Sequence, residues 1–162
     1  MTESNVTRTA AAFRGDTSTV LDDAAWAGTM IIRGVVYHRH PNGGGWVAAT
    51  AHVADTALVG LNAQVSGNAR VSGNAQVYGN ARVYGNARVY GNARVSGGAR
   101  ISGNAQVSGN AQVYGNAQVY GNARISGNAW VSGDAWVHGN ARISGNAWVS
   151  GTAKISTGHT NK

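Results

Sequence analysis

Five His, no Cys and six carboxylates bound the chemistry open to this chain. Without Cys, neither a thiolate nucleophile nor a thiolate metal site can form. His38 and His40 alternate around Arg39 and would share one side of a strand. Two ligands with a cation between them make a poor metal site, so they read as surface histidines beside a turn. His138 stands four residues after Asp134, but a bend between them need not bring the imidazole and carboxylate together. No catalytic, metal or cofactor residue is therefore assigned, and no cofactor is expected. What remains is a set of cations and aromatics: seven Arg between Arg70 and Arg142, and Trp130, Trp136 and Trp148. Arg in rows can meet a polyanion such as nucleic acid or an anionic glycan, and exposed Trp can anchor a protein contact.

Whether such residues form rows depends on the elements that carry them. From Val47 an aliphatic residue occupies every sixth position without a slip, through Val53, Val59 and Val65 to Val149 and Ile155. Ala stands two places before each from Ala51 to Ala153, Gly two places after from Gly67 to Gly151, and Asn usually follows the Gly. The unit reads Asn-Ala-Arg/Gln-Val-Ser/Tyr-Gly. Ala-x-Val-x is a period-two strand with its small and branched side chains on one face and its polar ones on the other. Gly-Asn then turns the chain, since both types tolerate positive φ. One such unit cannot bury a face by itself, so neighbours must stack. Val then fills the sides of a continuous core, and Ala its tighter corners. Collagen is excluded by the six-residue Gly period and by a single Pro. An amphipathic helix is excluded because no 3.6-residue stripe exists. Calcium-binding nonapeptides need another period and more acids, and an ice-binding face would need ranks of Thr.

The repeat resembles the hexapeptide-repeat family, whose members form left-handed parallel β-helices with three hexapeptides per coil. Runs such as GNARVYGNARVYGNARV at 79–95 are most similar to YdcK-type β-solenoid repeats, and NGGGWVAATAHVADTALVG at 42–60 looks like a lead-in. The resemblance covers about two-thirds of the chain. It implies an all-β, single-stranded parallel β-helix, left-handed and triangular, with 18-residue coils, about six of them, and a small strand-rich N-terminal cap. A right-handed helix is the alternative, because Gly falls one residue later than in hexapeptide acyltransferases. Those enzymes use a His between subunits and loops extruded from the coil to bind coenzyme A. Here no loop interrupts the repeat from Val47 to Ile155, so acyl transfer is the lesser reading. Carbonic-anhydrase-like members need several His that this chain lacks. The resemblance also implies trimers.

Eighteen residues per coil sorts the outward side chains into three faces stacked at about 4.8 Å. One column holds His52, Arg70, Arg88, Gln106, Arg124 and Arg142, flanked by Ala54, Ser72, Tyr90, Ser108, Ser126 and Ser144. A second holds Leu58, Gln76, Arg94, Gln112, Trp130 and Trp148, and a third Gln64, Arg82, Arg100, Gln118, Trp136 and Lys154. Tyr78, Tyr84, Tyr90, Tyr114 and Tyr120 never stand eighteen apart, so each ring is expected between Ser neighbours, or beside His138 for Tyr120. Asn columns should form amide ladders along the corners. One corner, running Asn62, Asn80, Gly98, Asn116, Asp134, Thr152, is irregular, either as a contact site or by drift.

Three segments follow: a tail and cap at 1–46, the solenoid at 47–155, and a tail at 156–162. Within the cap, residues 1–15 read as flexible and Thr17–Ala27 as a short helix or irregular cover. Thr29–Tyr37 reads as two strands bent at Arg33-Gly34, and Pro41–Gly45 as a turn. The cap should cover the first coil and block strand pairing there. The tail STGHTNK looks too short and polar to cover the other end. Trp130, Trp136 and Trp148 in the last two coils then mark a surface for a protein partner or self-association, or else shield the fraying end of a monomer. Of the net charge of +7, +6 resides in the solenoid, with seven Arg and Lys154 against Asp55 and Asp134, because the first 46 residues balance four Arg against four acids. Arg70, Arg88, Arg124 and Arg142 are the candidates for a polyanion, although outward Arg also serves solubility. The start lacks a basic stretch followed by an apolar one, and no run reaches the roughly 18 apolar residues of a membrane helix. The expectation is a cytoplasmic protein, or one within a phage or other assembled particle, with no membrane partner. Its function is expected to be non-catalytic, that of a rigid structural or interaction module.

Overall fold

The computed structural model describes residues 28–161, so the expectations for residues 1–15 and Thr17–Ala27 lie outside the described residues. No helix among the described residues is long and apolar enough to cross a membrane. The chain enters through β1 (Thr29–Ile32) and β2 (Val35–Arg39), an antiparallel hairpin turned at Arg33-Gly34 as expected. Arg33 itself adopts φ 51°, the one positive φ outside glycine among the described residues. Strand β3 (Trp46–Ala48) pairs antiparallel with β2 and parallel with Gln64–Val65. From β4 (His52–Val53) onward, two-residue strands recur every six residues to β21 (Lys154–Ile155), followed by β22 (His159–Thr160).

These strands stack in three sheets of nine, seven and six strands. Every parallel pairing from β3 to β21 joins residues eighteen apart, as in Arg88 with Gln106, Arg94 with Gln112 and Arg100 with Gln118. The protein is thus an all-β parallel solenoid of about six turns. Two-residue strands are too short to hold a sheet alone. The backbone adds a third bond in most repeats outside the strands, from the corner Asn N–H to the Gly carbonyl of the next coil, 2.8 Å for Asn86 to Gly103. The interior is the expected column of Ala and aliphatic side chains, fully buried from Ala57 to Ala147. Full burial of a Val contributes about 1.5–3 kcal/mol, so each triangular coil carries three such increments.

The turns differ in one respect from the sequence reading. Gly takes the left-handed conformation in each repeat, for example Gly103 at φ 64°, whereas the Asn after it does not. The Gly is doubly required. A Cβ on Gly103 would lie 2.9 Å from the backbone nitrogen of Gly121 directly above it. Asn serves instead through its amide. One ladder runs without a break from Asn68 to Asn140 and a second from Asn74 to Asn146, with Nδ2 donating to Oδ1 of the next coil at 3.0–3.5 Å. On the irregular third corner Asn116 to Asp134 is the one side-chain bond between coils among the described residues, at 3.1 Å.

Candidate functional site

Pairing register places all outward residues where the eighteen-residue coil put them. In the seven-stranded sheet the column reads His52, Arg70, Arg88, Gln106, Arg124, Arg142, with His159 added above Arg142. Arg70, Arg88, Arg124 and Arg142 are all exposed. Between Arg70, Arg88 and Gln106 and the ladder amides of Asn68, Asn86 and Asn104 lies a polar groove of about 410 Å³. Each Asn precedes its Arg or Gln by two residues, so the corner supplies one wall and the strand the other.

The three solenoid tryptophans separate onto two faces. Trp130 and Trp148 are neighbours in the six-stranded sheet, packed edge to face at 6.1 Å. Tyr114 meets Trp130 from the coil below at 6.3 Å. Trp148 ends this stack and is 68% exposed, against 41% for Trp130. Trp136 lies instead on the nine-stranded sheet, touched edge-on by Tyr120, with the Lys154 ammonium 5.0 Å from its ring. That contact is a cation–π pair.

The C-terminal end corrects the expectation of an uncovered coil. Gly158 and Thr160 accept backbone bonds from Arg142 and Ser144, and β22 pairs with Arg142–Ile143. Backbone pairing needs no apolar side chain, so a polar tail suffices, and His159 is tied to Ser144 at 2.6 Å. The outer edges of β20 (Trp148–Val149) and β21 have no strand partner among the described residues. The opposite end is the better sealed. The β1–β2 hairpin continues the nine-stranded sheet, and the 42–45 turn closes the six-stranded one through Gly45 N–H to Val59 O and Val59 N–H to Asn42 O. Arg39 holds that turn, donating to Gly44 and Leu61 carbonyls while its guanidinium stacks on Trp46 at 3.8 Å. Sequence reading missed this role, because Arg39 and Trp46 become neighbours only through antiparallel pairing. Among the described residues the edge of β4 has no strand partner, beside a cleft lined by His38, His40 and His52.

The residues considered for catalysis are not assembled. His138 stacks flat on Tyr120 at 5.0 Å, while Asp134 accepts from Asn116, and no hydrogen bond joins the two among the described residues. Among the described residues no group of three or more His or carboxylates could hold a metal ion. The Tyr spacing is as expected except at Tyr78, which sits above Gly60 rather than Ser.

A continuous core, three flat parallel faces and no interrupting loop from Val47 to Ile155 define a β-solenoid scaffold. The chain carries repeats of the YdcK β-solenoid type: that family's repeat model matches residues 63–77, 75–89, 87–103, 99–115, 117–133 and 123–139. No curated protein and no solved structure matches this chain.

Proposed function

We propose that this protein is a non-catalytic, rigid β-solenoid that works as a structural or protein-interaction module within a larger bacterial or phage assembly. Its action is geometric. A close-packed interior holds outward side chains at strand spacing, so a partner meets a preorganised surface and little ordering entropy is lost on binding. The observation that carries the reading is the aromatic step on the six-stranded face, where Tyr114, Trp130 and Trp148 rise to an exposed indole beside the open edge of β20. Exposed Trp at the centre of a contact contributes disproportionately to binding, and an open strand edge adds backbone donors and acceptors. The occupant is a protein, a second copy of the chain being the simplest case.

Light scattering on a sizing column tests this. The wild-type protein is expected to assemble as concentration rises, and Trp148→Ser to return it to monomer with an unchanged circular dichroism spectrum. A wild-type monomer at every soluble concentration, or a variant that assembles equally well, overturns the assignment.

A further inference from the structure

We propose that the seven-stranded face is a docking surface for double-stranded nucleic acid, gripped through its backbone phosphates and without sequence preference. This goes beyond the reading above, because the face and the partner's chemistry both differ.

Among the three faces, this column alone contains no large apolar side chain. The nine-stranded sheet interposes Trp46 and Trp136, and the six-stranded one Leu58, Trp130 and Trp148. Here Arg70 abuts Arg88, and Arg124 abuts Arg142, at strand spacing. Like charges directly opposite one another destabilise a sheet, and among the described residues no carboxylate pairs with any of the four. An anion lying along the column removes that repulsion. Gln106 between the pairs keeps a donor in line, and the groove's other wall is a ladder of Asn amides.

Dimensions and chemistry select the partner. Arg70 to Arg142 spans four coil steps, roughly 19 Å at about 4.8 Å each. Over that length a duplex lying along the column advances about six base pairs at 3.4 Å of axis each, so phosphates of its strands turn past the arginines in succession. Guanidinium forks and side-chain amides are the groups that bind phosphate oxygens. Reading base edges in the major groove takes a helix or a two-stranded ribbon, so a flat sheet face senses the backbone alone. A single strand would need a series of stacking rings, whereas the column beside the arginines offers Tyr90 among Ala54 and serines.

The test is fluorescence anisotropy with a labelled duplex of about 20 base pairs, roughly two helical turns. Four phosphate contacts give a log–log salt slope near −3.6, or a loss of ~10²-fold between about 50 and 200 mM salt. Arg88→Gln combined with Arg124→Gln should halve the slope. Both changes preserve the fold, since Gln106 already stands in that column. Arg94→Gln, on the six-stranded face, and Trp148→Ser should leave binding within about twofold, which keeps this surface separable from the tryptophan contact. Absence of duplex binding at low salt overturns the proposal. So does an equal loss from Arg94→Gln, an unchanged slope in the double variant, or capture of a sulfated glycan while the duplex fails to bind.

Discussion

Replacing Gly103 by Ala should be far more damaging than replacing Gly98, five residues away in the same stretch of coil. Gly103 holds φ 64°, and a side chain in that region costs roughly 1–2 kcal/mol. The added methyl would also meet the nitrogen of Gly121 at 2.9 Å, its oxygen at 3.1 Å and its Cα at 3.4 Å. Those are backbone atoms of the next coil and cannot swing aside, so the coils must part locally. The bond at risk is Asn104 N–H to Gly121 O, now 2.8 Å, and losing a backbone bond costs about 0.5–1.5 kcal/mol. The total is about 1.5–3.5 kcal/mol. Gly98 is outside the left-handed region, and its methyl would crowd Asn116 Oδ1, the end of a flexible side chain that can shift slightly, with the Gly115 carbonyl in ordinary contact at 3.6 Å. Gly98→Ala should therefore gain about 0.4–1 kcal/mol by restricting the unfolded chain. Urea unfolding followed by circular dichroism compares the two through their midpoints at equal slope. Midpoints equivalent to within about 0.5 kcal/mol would refute the claim that φ and coil spacing together demand glycine at this corner.

Two further outcomes follow from the corners and the end. Gly98→Asn should stabilise by about 1 kcal/mol, since it adds an amide between Asn80 and Asn116 on the interrupted corner; the same urea series measures it, and a loss of stability argues against the ladder as a net contributor. Deleting residues 157–162 removes the acceptors of the Arg142 and Ser144 amides. Hydrogen exchange at those two amides should accelerate strongly, while Arg124 and Ser126 one coil below keep their protection. Uniform protection in the truncated chain would mean that β22 does not cover the seven-stranded sheet.

The six-residue alternation of Ala, aliphatic and Gly allowed few other folds, because Val47 to Ile155 can bury that period only by stacking coil on coil. Column membership followed once the coil length was taken as eighteen, which is why Arg70 under Arg88 and Trp130 under Trp148 were legible beforehand. The hairpin bend at Arg33-Gly34 was equally local, carried by turn chemistry. The division of labour at the corner was not legible. Gly and Asn both tolerate positive φ, and only the 2.9 Å approach of the coil above explains why Gly alone takes it. Nor does composition reveal that His159–Thr160 forms a strand, since backbone pairing is indifferent to side-chain polarity and depends on a ready edge at Arg142–Ile143. The grip of Arg39 on Trp46 and on the Gly44 and Leu61 carbonyls has the same origin. A periodic sequence specifies what repeats with its own period. Contacts between the solenoid and its ends join residues with no common period, so only the tertiary structure decides them.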